Sequence, residues 1–436
     1  MDDFTVGIIG TSLLLGMVFL GVRVYAAAAI TGLLGCVAII GWDAGAGIVG
    51  TIPHSKAVNY ALSVLPMFIL IGFIAYHAGL THALFNAARA WFGWVPGGLA
   101  VATVFATAGF AAVSGASTAT AAVFSRVAIP HMLENGYSKQ LSAGVVAAGG
   151  TLASLIPPSA ILVIYAIIVE QSVGALILAG FLPGVVSAII YALLIIGQCV
   201  IDPSQGKPVK SPPMMTRLKT LPPVLPIALV VAIIFYSMYS GKATPTEAGA
   251  LGAFVIFVIA VMRGMKYHNM KEALLETAKL TVMIFALIWG ILIFVRFLGF
   301  AGLPQAFAEW IVGLPLPPVV IMIMILLGYA VLGMFMDAIG MLLLTLPVVY
   351  PAVIALGYDP VWFGIIVVKM CEVCLITPPV GLNCYVVHAV RPDIPLGDVF
   401  RGIAPFFGAD VATVALFIAF PEIITWLPSL LGAGAN

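Results

Sequence analysis

Two short stretches of this sequence decide how the chain folds: GGTLASLIPPSA at residues 149–160 and CLITPPVGLN at residues 374–383. Each stretch lies inside a long apolar run and contains two consecutive prolines. Proline lacks a backbone N–H and its ring clashes with the preceding turn, so a helix that carries Pro-Pro must unwind there. Both stretches are therefore predicted to be breaks in otherwise helical segments, the broken helices 140–169 and 361–390.

The two Pro-Pro stretches belong to an internal repeat. Three features of the first half recur 221 positions later: a proline (130 and 351), a Gly-Tyr pair (136 and 357) and the Pro-Pro pair itself (157 and 378). Agreement among non-aliphatic residues at a single offset indicates that a whole structural unit is duplicated. We predict a first repeat at 1–201, a linker at 202–222 and a second repeat at 223–436.

Composition predicts that both repeats lie in a lipid bilayer. Of 436 residues, 63% are hydrophobic and only 8% are charged, whereas soluble proteins have about 25% charged residues. The formal net charge of +1 provides no basic surface for nucleic acid. These values argue against a soluble enzyme, a nucleic-acid-binding protein and a disulfide-stabilised secreted domain, and they predict roughly ten to fourteen membrane helices.

The distribution of lysine and arginine predicts the orientation of the chain. The linker and the segment 263–279 each contain four Lys or Arg residues, which favours the cytoplasmic side for both. Counting spans backwards places the acidic N-terminus in the periplasm, provided that 97–131 does not cross the membrane. That run has glycines and serines at its middle, so a re-entrant helical hairpin is predicted there and at 318–350. Each repeat then crosses an odd number of times, and the repeats have inverted topologies, as in many secondary transporters.

Four irregular segments are predicted to meet near the middle of the bilayer. They are the two breaks and the tips of the two hairpins, SGASTAT at 114–120 and FMDAIG at 335–340. Non-helical backbone at membrane depth must be buried in protein or line a cavity. Carbonyl and hydroxyl oxygens bind hard cations, while the N-terminus of a half-helix favours an anion. The pattern therefore predicts a site for cations together with an anionic solute.

Several polar side chains are candidates for this site. Ser114, Ser117 and Thr118 could bind a cation or the solute, or could cap backbone carbonyls. Asp337 is a carboxylate within an apolar run, which is costly and predicts a functional role. Capping and ligation are equally open for three residues next to the breaks: Ser159, Thr377 and Asn383.

Three charged residues receive structural interpretations. Arg126, in the second arm of the first hairpin, could pair with a carboxylate, but the interpretation favoured here is that its guanidinium extends to the cytoplasmic interface. Lys369 and Glu372 have i, i+3 spacing and are predicted to pair with each other.

The five cysteines all lie in apolar surroundings and indicate neither a disulfide framework nor a closed zinc site.

At these residues the sequence resembles the large membrane subunit of the tripartite ATP-independent periplasmic (TRAP) transporters. The resemblance covers nearly the whole chain and is carried by five motifs: SGASTAT (114–120), GGTLASLIPPS (149–159), AGFLPG (179–184), TPTEAGA (244–250) and ITPPVGLN (376–383). It implies an all-α multi-pass protein of the bacterial inner membrane with an elevator mechanism, like the ion transporter superfamily. The implied activity is sodium symport of an organic acid. The implied partners are a small membrane (Q) subunit and a periplasmic substrate-binding (P) protein.

The resemblance also assigns site residues by position. A carboxylate solute would lie between Ser117, Ser159 and Asp337. Sodium would bind at each tip and its break, at Ser114, Gly115, Thr118, Gly150, Thr151, Pro157, Asp337, Gly340, Thr377, Pro378, Gly381 and Asn383. The chain departs from the commoner family pattern at Ala116, where serine is usual, and at Ala153, where glycine is usual.

Three other functions share some of these sequence features. A passive channel, or an ion-translocating subunit of an energy-converting complex, would share the apolar composition and the broken helices. A membrane scaffold that arose by duplication would share the repeat. An intramembrane serine protease would need a histidine beside Ser114, and nothing in the sequence pairs His131 or His388 with it. No enzyme activity is therefore expected.

Overall fold

The computed structural model describes residues 2–57, 60–210, 212–334, 336–379 and 381–430. Helices are the only regular secondary structure in these ranges, which confirms the predicted all-α class. Two short 3-10 turns occur at Tyr60–Ser63 and Leu152–Ser154. The α-helices are α1 (Asp3–Phe19), α2 (Val24–Ile40), α3 (Trp42–Ala57), α4 (Val64–His77), α5 (Leu80–Phe92), α6 (Gly98–Ser114), α7 (Ser117–Glu134), α8 (Lys139–Thr151), α9 (Ala160–Ile168), α10 (Val173–Ile201), α11 (Met214–Leu218), α12 (Leu225–Tyr239), α13 (Pro245–Met262), α14 (Tyr267–Phe300), α15 (Leu303–Val312), α16 (Pro318–Gly333), α17 (Ala338–Ala355), α18 (Pro360–Ile376), α19 (Leu382–Val390), α20 (Leu396–Ala419) and α21 (Glu422–Leu430).

The helix boundaries reproduce the offset of the sequence repeat. In the first half, α6 and α7 are followed by α8, a break and α9; in the second half, α16 and α17 are followed by α18, a break and α19. The start of α17 at Ala338 lies 221 positions after that of α7 at Ser117, and the start of α18 at Pro360 lies 221 positions after that of α8 at Lys139. In both halves the two helices before the broken helix contact each other.

The second helix of each hairpin is longer than predicted. Pro130 and Pro351 lie inside α7 and α17, and both helices continue beyond the expected ends at 131 and 350. Membrane helices tolerate an internal proline when neighbouring groups satisfy the freed backbone. Each helix ends instead just before a glycine with a left-handed backbone, Gly136 (φ 78°) and Gly357 (φ 84°), which is a common way for a helix to terminate.

The half-helix that follows each break packs on the opposite repeat. α9 contacts α17 of the second repeat, and α19 contacts α7 and α8 of the first. The next helices continue this exchange, because α10 contacts α18 and α20 contacts α8. Among the outer helices, α4 contacts α13 and α2 contacts α14. The two repeats therefore interlock about a shared centre instead of forming two separate bundles.

One of these contacts between repeats depends on glycine. Gly144 of α8 faces Gly402 of α20, and a Cβ atom on Gly144 would collide with the carbonyl group of Gly402. A Cβ atom on Gly402 would in turn collide with the carbonyl group of Gln140. Small residues let membrane helices approach closely and gain van der Waals contact. The two repeats are thus joined backbone to backbone at this position.

The described helices have the composition of membrane spans. Five of them are at least 18 residues long and apolar enough to cross a bilayer: α10, α13, α14, α17 and α20. Five shorter apolar helices have 10–17 residues: α1, α2, α6, α12 and α16. α4 and α5 meet at a bend of 71°. The long helices are fewer than the spans expected from composition because breaks and tight turns divide the apolar runs.

Several topological expectations stay predictions. They are the boundaries of the two repeats, their inverted orientation, the cytoplasmic linker and the periplasmic N-terminus. The re-entrant nature of the two hairpins also stays a prediction. α17 is by itself long and apolar enough to cross a bilayer, so its length does not distinguish a re-entrant helix from a complete span.

Candidate transport site

The tip of the first hairpin rests on the first break. Between α6 and α7, Gly115 has a left-handed backbone with φ of 58°. A Cβ atom added to Gly115 would lie 2.6 Å from the carbonyl oxygen of Pro158. Both the left-handed backbone and this close contact therefore favour glycine over any other residue at the turn. The segments 114–118 and 156–160 are therefore in direct contact, as the sequence predicted.

Three serines connect this tip to the break by hydrogen bonds. The hydroxyl oxygens of Ser117 and Ser154 are 2.6 Å apart, and Ser159 donates its hydroxyl to the carbonyl of Ser154 at 2.5 Å. Ser159 Oγ also accepts from the N–H of Leu162 at 3.3 Å, which makes it the N-cap of α9. The fold thus brings together two of the three residues predicted to bind substrate, with Ser154 between them.

The other residues predicted for the first sodium site differ in their exposure. Ser114 Oγ lies 3.0 Å from Thr120 Oγ1, and both side chains are buried. Thr151 is buried and donates its hydroxyl to a carbonyl one turn earlier in α8, at 2.7 Å. Gly150 packs against α7. Thr118, in contrast, is exposed, so its hydroxyl lies outside the buried group.

The second tip places a carboxylate where the first has hydroxyl groups. Asp337 is the N-cap of α17, and its carboxylate accepts from the N–H of Gly340 at 3.0 Å. The positive end of the helix dipole stabilises a negative charge at this position. Phe335, also part of the predicted tip, lies outside the described residues. Asp337 thus has a structural partner, and its binding to solute or sodium stays a prediction.

The second break is less enclosed than the first. Thr377 Oγ1 donates to the carbonyl of Val373 within its own helix, at 2.5 Å. Pro378 is exposed, whereas both prolines of the first break are buried. Gly381 has a left-handed backbone with φ of 49° and precedes α19. Val380, which the predicted break also includes, lies outside the described residues.

Asn383, near the second break, has a side-chain oxygen that is available to bind a cation. Its side-chain N–H donates to the carbonyl of Ala147 in α8 at 3.1 Å, and the residue is fully buried. Its amide oxygen has no hydrogen-bond partner in the described structure. Buried polar atoms normally have a partner, so an unpaired carbonyl-type oxygen is a good candidate ligand for a cation. Ser159 and Thr377, in comparison, are engaged with backbone groups.

A cavity of about 210 Å³ lies beside the first tip, between the hairpin and the outer helices α4 and α14. Ser114 and Ala116 of the tip line it, together with Arg126 of α7 and Glu276 of α14. Glu276 lies 2.9 Å from the imidazole of His77. The guanidinium of Arg126 and the hydroxyl of Ser114 suit a carboxylate ligand, whereas the carboxylate of Glu276 in the same cavity opposes one.

Sequence reasoning missed one residue of this site and left the role of another open. Arg126 is exposed and lines the cavity next to the tip, so both of its interpretations, a position at the cytoplasmic interface and pairing with a carboxylate, stay predictions. Ser154 gave no signal of its own, because its role depends on a contact with Ser117, 37 positions earlier. The residues that line the cavity beside the first tip in the described structure do not include Ser117, Ser159 or Asp337, the three residues predicted to bind substrate.

Comparison with known proteins identifies the family. The family model described as "Tripartite ATP-independent periplasmic transporter, DctM component" matches residues 11–423. This chain belongs to that TRAP transporter family. The C4-dicarboxylate TRAP transporter large permease protein DctM of Pseudomonas aeruginosa is 35% identical to it, over 86% of this chain and 87% of that protein. The sialic acid TRAP transporter large permease protein SiaM of Vibrio cholerae is 31% identical, over 86% and 88%.

Two further comparisons concern the extent of the TRAP permease and its fold. The isethionate TRAP transporter permease protein DctMQ of Oleidesulfovibrio alaskensis is 31% identical over 88% of this chain, which matches 59% of that longer protein. The crystal structure of the YdaH transporter of Alcanivorax borkumensis superposes with a TM-score of 0.58 at 16% identity, covering 87% of this chain and 89% of that one. The TRAP permease therefore shares the fold of a membrane transporter with distant sequence.

Proposed function

We propose that this TRAP permease takes up an organic acid by sodium-coupled secondary active transport, through an elevator motion of its hairpin-containing core. A periplasmic binding protein delivers the acid, and a small membrane subunit completes the permease in the bacterial inner membrane. The N-terminus lies on the periplasmic side. The observation that carries the proposal is the contact between the first tip and the first break, which concentrates oxygen atoms beside a cavity.

The oxygen atoms at the tips and breaks support sodium as the coupling ion. Ser117 of the first tip and Ser154 of the first break provide two hydroxyls where these segments meet, and the prolines that follow Ser154 leave backbone carbonyls outside regular helix. The oxygen of Asn383 is buried and unpaired near the second break. Hard monovalent cations prefer such oxygen ligands, and broken membrane helices supply them in many transporters. The repeat gives two candidate positions for sodium.

The cavity beside the first tip supports an anionic solute. Arg126 offers a guanidinium that can bind a carboxylate through two parallel hydrogen bonds. Ser114 and the N-terminus of α7 lie at the tip, where backbone N–H groups and the helix dipole favour a negative charge. Arg126 is exposed, and it lies on the side for which the sequence predicts a cytoplasmic location. We therefore assign this conformation to a state that opens inwards.

The grouping of the helices supports an elevator motion. The two hairpins, the broken helices, α10 and α20 are linked by contacts across the repeats, while α2, α4, α13 and α14 are linked to one another; the two groups meet where α4 packs on α6 and α14 packs on α17. The cavity lies on the boundary between these groups, with the hairpin on one side and α4 and α14 on the other. A solute held at the tip would therefore travel with the hairpin relative to the outer helices.

The relatives support the class of solute and the partners. Relatives of 31–35% identity are named for C4-dicarboxylates and for sialic acid, so we propose a carboxylate solute and no single compound. The relative named DctMQ is longer than this chain, as expected if a small Q subunit is fused to its large permease. We propose that this chain works with a small subunit of the same kind.

Reconstitution in liposomes tests the proposal. The permease is combined with its small subunit and its binding protein, after a thermal-shift screen of C4-dicarboxylates and sialic acids against the binding protein. Uptake of the selected solute should require both the binding protein and an inward sodium gradient. Equal uptake with potassium in place of sodium would refute the coupling, and uptake without a gradient would favour a passive channel.

Two variants test the residues. Ser159→Ala and Asp337→Ala should each reduce uptake, because one removes the cap of the first break and the other the carboxylate of the second tip. Glu309→Gln, at an exposed residue outside the site, is the control. Size-exclusion profiles of all three must match that of the wild type. Wild-type uptake by the Ser159 and Asp337 variants would remove those residues from the site.

A further inference from the structure

A buried charged cluster joins the two repeats behind the transport site. Lys369 of α18 lies 2.6 Å from Glu372 of the same helix, as predicted, and 2.8 Å from Asp410 of α20; all three side chains are 0% exposed. Tyr191 of α10 donates its hydroxyl to the same oxygen of Asp410 at 2.6 Å. The hydroxyl of Thr151, at the end of α8, lies 3.4 Å from that of Tyr191.

The charges in this cluster do not balance. One ammonium group faces two carboxylates, so the fully ionised cluster has a net charge of −1. The hydroxyl of Tyr191 is neutral and leaves that sum unchanged. A buried charge that is not compensated is strongly unfavourable in an apolar interior, where the group neutralises itself instead. The cluster therefore requires one more positive charge.

Hydrogen bonding distinguishes the two carboxylates. Oδ1 of Asp410 accepts from both Lys369 and Tyr191, and two such bonds favour the ionised form. Glu372 accepts from Lys369 alone. Its other oxygen, Oε1, is buried without a hydrogen-bond partner among the described residues, as is Oδ2 of Asp410. Glu372 is thus the carboxyl group that can accept a proton at the smaller loss of favourable interactions.

We propose that Glu372 carries an exchangeable proton on Oε1, and that the Lys369–Glu372–Asp410 cluster is a proton-binding site shared by the two repeats. Protonation forms one O–H bond and changes the charge of the cluster from −1 to zero, without breaking another covalent bond. The hydroxyls of Tyr191 and Thr151 extend from the cluster towards the first break. The proposal rests on the cluster alone and is independent of sodium coupling.

The charged and titratable groups that face Glu372 come from three helices. Lys369 and Cys371 belong to α18, Asp410 to α20 and Tyr191 to α10. Asp337, at the start of α17, interacts with Cys371 rather than with Glu372. Lys369 is the only positively charged side chain among these groups. In the described structure, no side chain from another helix therefore supplies a second positive charge to the cluster.

Infrared spectroscopy of the wild-type permease in lipid nanodiscs tests the proposal directly. A protonated carboxylic acid has a C=O stretch distinct from that of a carboxylate, and this band shifts in D₂O if the proton exchanges. Glutamate or aspartate labelled with ¹³C at the side-chain carboxyl is incorporated in two separate preparations. We expect an acid band that shifts in D₂O and on glutamate labelling, but not on aspartate labelling. The wild-type measurement does not depend on a variant that folds.

Variants then locate the band in the sequence. Glu372→Gln, a neutral replacement of the same shape, should fold and abolish the band, whereas the exposed control Glu309→Gln should retain it. Loss of the band only on addition of sodium would indicate an alkali cation in place of the proton and overturn the proposal. A band that moves with aspartate labelling, a band that survives in Glu372→Gln, or no acid band at all would also overturn it.

Discussion

The two tip–break pairs of this permease have related sequences but are closed in different ways. In the first pair, Gly115 lies against the carbonyl of Pro158, and Ser117 is hydrogen-bonded to Ser154. In the second pair, Thr377 is bonded within its own helix and the prolines are exposed. The duplicated unit thus sets the path of the backbone, while a few side chains decide whether tip and break are held together.

This difference assigns unequal roles to the two pairs. A site whose oxygen atoms are already fixed by packing loses little entropy when it binds an ion. The first pair is such a site, because its tip and break are joined by hydrogen bonds between buried hydroxyls. In the second pair, no hydrogen bond joins tip and break among the described residues, and we expect binding there to bring Asp337 and the exposed break closer together.

The largest expected effect is at the glycine of the first tip. Gly115→Ala should lower the free energy of unfolding by about 1–3 kcal/mol from backbone strain alone, and its Cβ would meet the Pro158 carbonyl oxygen at 2.6 Å. Gly381→Ala has a similar backbone cost, but its shortest contact, 2.9 Å, is with the ring of Phe400, which can shift. Thermal unfolding in detergent should rank Gly115→Ala as less stable. Equal melting temperatures would contradict the comparison.

A second prediction compares hydroxyls of the two breaks. Ser154→Ala leaves the buried hydroxyl of Ser117 without its partner, which should cost about 1–3 kcal/mol. Thr377→Ala removes a bond within one helix and should cost about 0.5–1.5 kcal/mol. The same melting experiment measures both, and sodium-dependent uptake should fall more in Ser154→Ala. If the threonine variant lost more in both assays, the first pair would not be the better-organised site.

A third prediction concerns the link between the second break and α8. Asn383→Ala removes a buried bond to the carbonyl of Ala147 and should lower the free energy of unfolding by about 1 kcal/mol. Asn135→Ala, at an exposed position, is the control and should change it by less than about 0.5 kcal/mol. If the oxygen of Asn383 binds sodium, sodium should stabilise the wild type more than Asn383→Ala. Equal stabilisation would exclude that ligand.

The smallest effect on stability, with a clear effect on transport, is expected at Arg126. This side chain is exposed, so Arg126→Gln should change the free energy of unfolding by less than about 0.5 kcal/mol. Loss of a charged hydrogen bond to the solute should raise KM for uptake about tenfold. Arg401→Gln, at a side chain that is 76% exposed, is the control. The second hairpin has Pro347 at the equivalent position and so lacks this guanidinium. An unchanged KM in Arg126→Gln would show that this sequence difference between the two hairpins has no role in binding the solute.

Much of the architecture could be predicted from sequence because it depends on local chemistry. Consecutive prolines must interrupt a helix. Pro157 and Pro378 are separated by the same 221 positions as the other repeated features, so the sequence predicts that the interruption occurs twice. The same reasoning located both tips. It could not anticipate that one Pro-Pro pair is buried and the other exposed, because the two motifs look alike and their exposure depends on which distant helices cover them.

Contacts between residues that are distant in the chain could not be predicted from the sequence either. The i, i+3 spacing predicted the pair formed by Lys369 and Glu372, and the structure confirms it. The participation of Asp410 and Tyr191 arises from α20 and α10, which pack against α18 only in the folded chain. Ser154 and the position of Arg126 beside the tip belong to the same class of tertiary feature.

The exchange of half-helices between the repeats has a consequence for biogenesis. When the ribosome has released α9 into the membrane, its packing partner α17 has not yet been synthesised, and α7 must wait for α19, which ends at Val390. A nascent N-terminal half would therefore expose interrupted backbone to lipid, at a high energetic cost. We expect that half to be degraded when expressed alone, and to be rescued when the C-terminal half is co-expressed as a separate polypeptide.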